Sequence, residues 1–193
     1  LITVLVACFT FTVQADNRQL DINLGWTSLD AGGKDEFKSG NALALHYNYF
    51  LKHWLAADVG LYVSDKTLEQ SRKDVVGDFR TSIQSQALLL GLKLRHKFST
   101  PYEVYGRLGL QYWRTELEVE EYFGPGIPSG TDSANDTGYG YFVSIGGGYY
   151  VTENVMVQLE LRHMTQLDVF GGKSEFPFDL AINSFSFGVG YRF

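Results

Sequence analysis

Apolar side chains in this chain recur at every second position over about eight separate stretches. That period admits one local structure. Successive side chains of an extended strand point to opposite faces, so a period of two marks strands with one apolar and one polar face. Leu20, Ile22, Leu24 and Trp26 alternate with Asp21, Asn23, Gly25 and Thr27. Leu43, Leu45, Tyr47 and Tyr49 alternate with Ala42, Ala44, His46 and Asn48, and Leu55 to Val63 alternate with Ala56 to Ser64. A fourth stretch near 82–98 sets Leu88, Leu90, Leu92 and Leu94 against Ala87, Leu89, Gly91, Lys93 and Arg95. The pattern repeats around Val104–Tyr112, Tyr141–Gly148, Val155–Arg162 and Ser184–Phe193. Each stretch approaches the roughly 9–11 residues that carry a tilted strand across a bilayer.

The connections alternate in length. Short ones fall near Phe50–His53, Ser99–Pro101 and Val151–Asn154; long polar ones span 30–40, 65–80, 116–138 and 165–180. Short turns on one rim and long loops on the other are the signature of an antiparallel membrane barrel. A length of 193 residues suits one domain. No apolar run approaches the ~20 residues of a membrane-spanning helix. A net charge of −6 and a pI near 5.2 exclude the basic face that nucleic-acid binding requires.

Alternation does not say which face points inward, because a soluble barrel hides its apolar face and a membrane barrel shows it to lipid. Three features select the membrane barrel. The polar face is rich in Gly, Ser, Ala and Asn, as a crowded eight-strand bore requires. Aromatic residues gather toward strand ends, at Trp26, Tyr47, Tyr49, Trp54, Tyr112, Tyr141, Tyr149, Tyr191 and Phe193, where they suit two interfacial girdles. The uncharged apolar stretch Leu1–Val13, followed by Gln14 and Ala15, resembles a secretory signal with a small-residue cleavage site. The expected organisation is therefore a truncated signal over 1–15 and a barrel over 16–193. Cutting after Ala15 removes Cys8, and with it disulfide and thiol chemistry; Leu5-Val-Ala-Cys8 also resembles a lipoprotein signal, but the apolar run continues past Cys8. The modest mean hydropathy of −0.11 follows from averaging a lipid face with a polar bore and polar loops.

At this point the residues resemble a known family. Tyr105-Gly-Arg-Leu-Gly-Leu-Gln-Tyr-Trp-Arg114 is similar to the fifth strand of the OmpA-type eight-stranded outer-membrane barrels, and Gly146–Arg162 to their hairpin of strands six and seven. The ending Phe185–Phe193, with Phe187, Val189 and Tyr191, resembles the C-terminal signal read by the barrel-insertion machinery. The resemblance implies an all-β, eight-stranded, antiparallel up-and-down transmembrane barrel in the outer membrane of a Gram-negative cell, folded by that machinery. It implies short periplasmic turns, four longer extracellular loops and a monomer among outer-membrane lipid and lipopolysaccharide. No peptidoglycan-binding domain is expected to follow.

Charges on the polar face are expected to form a salt-bridge network closing the bore: Asp21, Asp58, Glu103 and Glu160 with Lys93, Arg95, Arg107, Arg162 and Arg192. The third long loop carries Glu116, Glu118, Glu120, Glu121, Asp132 and Asp136 without Lys or Arg, an acidic surface for a basic ligand or a divalent cation. Asp132–Gly138 lacks calcium-loop spacing, and no cofactor or metal cluster is expected. His163-Met-Thr165 faintly resembles the His-x-Ser pair of lipid A deacylase barrels, with Asp168 a possible orienting acid. The preferred function is non-enzymatic: membrane integrity, adhesion or recognition through the loops. A small-solute or ion pore and a lipid A-modifying enzyme are the alternatives.

Overall fold

The computed structural model describes residues 17–30, 40–65, 68–73, 78–99, 101–122, 130–171 and 178–193; the expected signal over 1–15 and the centres of the long connections lie outside these. The strands are β1 (Arg18–Asp30), β2 (Gly40–Lys52), β3 (Leu55–Ser64), β4 (Leu68–Lys73), β5 (Asp78–Lys97), β6 (Tyr102–Tyr122), β7 (Gly130–Tyr150), β8 (Val155–Val169) and β9 (Phe178–Arg192).

Every pairing is antiparallel; β3 pairs with β2 and β5, and β1 pairs with both β2 and β9. β3 and β4 lie end to end along the same side of β5: β3 pairs with residues 86–94 and β4 with 78–83. The nine segments therefore form an eight-stranded closed ring. Closure pairs the strands on both sides across the ring, β4 alone pairing only with β5, and this allows extended backbone to sit where no water can satisfy it.

The alternation fixes what faces lipid. Ile22, Leu24, Leu45, Leu61, Leu90, Leu110, Ile145, Leu161 and Phe187 point outward and are exposed, Leu90 by 53% and Leu110 by 69%. Exposed apolar area continuous around a ring is intolerable in water; in a hydrocarbon layer it is the source of stability, at roughly 25 cal/mol per Å² removed from water. Aromatic rings band both ends of this surface. Tyr102 and Tyr149 lie 5.2 Å apart at the short-turn end, as do Tyr191 and Phe193 at 5.0 Å; Tyr112 and Tyr139 lie 5.4 Å apart at the other. The short turns fall where the spacing predicts them, and Thr152 Oγ1 accepts from the Val155 amide to close the turn between β7 and β8.

The long connections differ from expectation. Most of 116–138 is strand: β6 runs on to Tyr122 and β7 starts at Gly130, paired from Glu121↔Gly130 downward. β4 occupies part of 65–80, and the span 165–180 holds the ends of β8 and β9. The cause is that period-two patterning continues in polar dress. Glu116, Glu118 and Glu120 alternate with Leu117 and Val119, and across the hairpin Thr131, Ser133 and Asn135 alternate with Asp132 and Ala134. Charge there reflects exit from the bilayer rather than an end to the strand. Twenty-one residues of β6 at about 3.3 Å rise far exceed what an apolar band of about 25 Å can cover. β5, β6 and β7 thus project beyond the membrane as a paired sheet.

Leu90→Arg, in the middle of the lipid face, should destabilise the folded barrel by about 2–4 kcal/mol, whereas Ser82→Arg on the projecting part of β5 should change stability by less than about 0.5 kcal/mol. Urea titration in lipid vesicles, read by heat-dependent gel mobility, measures both.

Candidate functional site

Inward positions of seven strands build two ionic clusters in the bore. Asp21 on β1, Asp58 on β3, Lys93 on β5, Arg107 on β6 and Glu160 on β8 are fully buried, and Arg162 nearly so. Arg107 is the hub. Its guanidinium donates to Asp21 Oδ2 and, over 2.9 Å, to Glu160 Oε2, and its Nε lies 4.0 Å from Asp58 Oδ2. Lys93 Nζ donates to Asp21 Oδ2 over 3.1 Å, and Arg162 Nε donates to Glu160 Oε1 over 3.0 Å. Tyr105 Oη donates to Glu160 Oε2 over 3.1 Å.

Nearer the short-turn end, Arg95 Nη1 lies 3.4 Å from Glu103 Oε2, which also accepts from Tyr150 Oη over 2.8 Å. Together the clusters hold four carboxylates and four cations. Buried charges persist only when paired, and the two clusters balance in charge, with Arg107 Nε and Glu103 Oε1 left without a hydrogen-bond partner. The guanidinium of Arg192 lies 5.7 Å over the Phe50 ring at the short-turn end, the ring on which Arg95 of the second cluster also packs at 3.7 Å.

Sequence reasoning missed His46. Its Nδ1–H donates to Asp58 Oδ1 over 3.0 Å while Nε2 accepts from Arg162 Nη2 over 2.6 Å, a pairing that fixes the neutral tautomer. Its inward position is readable from the alternation of β2; its partner is not, because Arg162 lies 116 residues away. Two glycines make room for this crowding: a Cβ at Gly60 would come within 2.7 Å of the His46 ring, and one at Gly146 would run into the Tyr105 ring. The bore near the projecting sheet is closed differently. Leu29, Tyr62, Leu89, Trp113, Phe142, Met164, Leu180 and Ile182 form an apolar cluster there, with Phe170 and Phe178 packed against it. Apolar packing therefore closes the bore here, alongside the charges expected to close it. Phe170 holds a φ of 60°, rare for a bulky residue, and its amide donates to Asp136 Oδ2 over 2.7 Å.

On the lipid face, His163 and Thr165 do come together. Thr165 Oγ1 donates to His163 Nε2 over 3.2 Å, and His163 Nδ1 donates to Asn183 Oδ1 over 2.8 Å. Asn183 on β9 orients the imidazole. Asp168 instead has a φ of 55° beyond a break in the β8–β9 register, and its amide bonds to Asp179. The arrangement has the order of a nucleophile, base and orienter, but Thr165 is only 8% exposed. β8 lies between β7 and β9 at this height, so its amides belong to two ladders and supply no pair of free donors for an acyl-transfer oxyanion. The cluster can donate and accept hydrogen bonds at the membrane surface. Phe185, Phe187, Val189, Tyr191 and Phe193 all point outward from the last strand and are 37–49% exposed. Among the described residues, no group of three His, Cys, Asp or Glu could hold a metal ion.

These features define a transmembrane barrel of the eight-stranded outer-membrane class. Residues 1–193 match the model of the outer membrane protein beta-barrel domain, and the chain belongs to that family; it is an outer-membrane protein. Two similar solved structures are the attachment invasion locus protein Ail of Yersinia pestis (12% identity, 93% of this chain and 100% of that chain, TM-score 0.60) and Neisserial surface protein A (15%, 94% and 100%, 0.60). OprG of Pseudomonas aeruginosa is similar at 12% identity, over 93% of this chain and 97% of that chain, with a TM-score of 0.54. At such identities the likeness is one of fold. No curated protein matches in sequence.

Arg107→Met should cost about 3–5 kcal/mol, because it leaves Asp21 and Glu160 buried with too little positive charge. Adding Glu160→Gln restores the balance and should recover at least about 1 kcal/mol of that loss. A double-mutant cycle in vesicles measures the coupling.

Proposed function

We propose that this barrel serves a structural and surface-interaction role, presenting its projecting sheet and extracellular connections to partners outside the cell while its bore stays closed. The observation that carries this reading is the pairing of β5, β6 and β7 well beyond the lipid face, above a bore filled by a balanced ionic cluster and an apolar cluster. A paired sheet is a better recognition platform than a free loop of equal length, since less backbone entropy is lost on binding. Its outer face carries Glu116, Glu118 and Glu120, with Gln84, Ser82 and Arg80 opposite them on β5, Asn135, Ser133 and Thr131 on β7, and Arg114 one step nearer the membrane. The partner that fits is a basic protein surface. Ail of Yersinia pestis has been crystallised with a heparin analogue; the acidic face of this sheet argues against a polyanion as its counterpart here.

The role is non-catalytic, and the charged network is a closure device rather than a conduction path. The outward ending Phe185–Phe193 serves insertion: alternate aromatic side chains on the last strand form the pattern that the barrel-insertion machinery reads. A monomer fits a ring whose strands are all paired internally.

In planar bilayers the folded protein should give no steady single-channel conductance. Cells displaying a variant with residues 116–134 deleted should lose adhesion to surfaces coated with basic matrix protein while keeping heat-dependent gel mobility. Sustained channels in the intact protein, or unchanged adhesion by the truncated one, would contradict the reading.

A further inference from the structure

Two concavities meet at the short-turn end of the barrel. The first, of about 430 Å³, opens at the rim and is lined by Arg95, Lys97 and Arg192 with His53 and His96; its size is that of a ligand pocket. Among the described residues, no Asp or Glu lines it. The whole end is basic: Arg18, Lys52, Arg95, Lys97 and Arg192 stand there, among the described residues, against Glu103 and Glu153. Arg95 reaches Glu103, whereas Lys97 makes no ion pair among the described residues and holds its Nζ 4.4 Å over the Tyr150 ring.

The second concavity, of about 620 Å³, is a groove on the lipid face that shares Trp54, Arg95 and His96 with the first. From there it runs between Leu94 and Ile145, over Gly106. These three are register partners across β5, β6 and β7, on the outward side. A Cβ at Gly106 would lie 3.4 Å from its nearest neighbour on another strand, the Ser144 carbonyl oxygen, an ordinary contact. Packing therefore does not demand glycine here, as it does at Gly60 and Gly146, and the missing side chain leaves a gap in the apolar band.

We infer that the joined concavities bind an anionic phospholipid of the periplasmic leaflet, its phosphodiester in the basic one and an acyl chain in the groove. Three observations select that occupant. Short turns face the periplasm, so an amphiphile seated here belongs to the inner leaflet. The rim concavity offers an ammonium and guanidinium groups, the donors that suit phosphate oxygens, and basic clusters at a membrane surface draw anionic headgroups. Trp54 and Phe98, 41% and 46% exposed, flank it as rings do at headgroup depth. His96 continues the outward row of Leu92 and Leu94, edge-on to Phe98 at 4.9 Å, and so stands where the head joins the chains. Finally, the groove opens directly off the basic concavity. A soluble anion would leave the groove empty, while a lipid fills both. The site does not depend on the role of the projecting sheet.

Native mass spectrometry of the folded protein in detergent tests this, with phosphatidylglycerol in one arm and phosphatidylethanolamine of the same chains in another. A third arm adds glycerol 3-phosphate as a competitor for phosphatidylglycerol. The wild type should hold phosphatidylglycerol more tightly than phosphatidylethanolamine, and glycerol 3-phosphate at equal concentration should not displace it. K97E should bind phosphatidylglycerol roughly tenfold more weakly, with phosphatidylethanolamine little changed. G106L fills the groove without altering charge; it should weaken both lipids alike and keep heat-dependent gel mobility, so the groove is tested even where K97E folds poorly. Equal affinity of the wild type for the two lipids overturns the site, as does unchanged phosphatidylglycerol binding by K97E or by G106L. Displacement by glycerol 3-phosphate overturns it in favour of a soluble phosphate.

Discussion

The hydrocarbon layer offers no hydrogen-bond partner to the backbone, and the rest of this structure follows from that. A strand crossing it must be paired on both edges, and only a closed ring does so for every strand. Closure makes the chain an inside-out protein. The apolar half of each alternating pair turns outward, the polar half turns into a bore too narrow for bulk water, and long polar segments fall outside both.

The bore then carries a burden that a soluble barrel avoids. Its polar face is enclosed, so each charge needs a partner within reach across the ring rather than along one strand. Arg107 meets this need by touching carboxylates from three other strands, and Arg162 and Lys93 complete the balance. Such a network specifies arrangement more than it stabilises, since apolar replacements of equal volume would pack as well. Where the chain leaves the bilayer the requirement changes, and the bore is filled by Trp113, Phe142, Met164 and their neighbours. Closure by charge in the middle and by apolar packing near the exposed sheet are two answers to one problem of filling space without bulk water.

How much of this was legible follows from the range of each signal. Strand number, antiparallel order, the lipid face and the short turns rest on period two and local turn residues, and all could be read along the chain. The ends of β6 and β7 could not, because Glu116 to Glu120 look like a solvated loop when charge is taken as a sign of disorder; their alternation with Leu117 and Val119 was the better signal. Inward positions were likewise readable, but partners were not. Nothing local joins Arg162 to His46, or Arg107 to Asp21, since ring closure and strand stagger set those meetings. The same reason hid Asn183 as the residue holding His163. A nearby Asp168 was the natural choice by sequence distance, whereas the true neighbour lies across the β8–β9 ladder, twenty residues on.

Closure also explains why the outside of the barrel is not uniform. A ring with no free edge can vary its lipid face strand by strand without endangering the fold, provided each substitution suits its depth. Midway through the bilayer only apolar side chains satisfy that condition, and Leu88 to Leu94 illustrate it. At the outer interface the condition relaxes, so Tyr112 and Tyr139 on one side and His163, Asn183 and Ser28 on the other are both tolerable. Variation can therefore collect at the outer interface and on the projecting sheet, because neither is needed to hold the ring together.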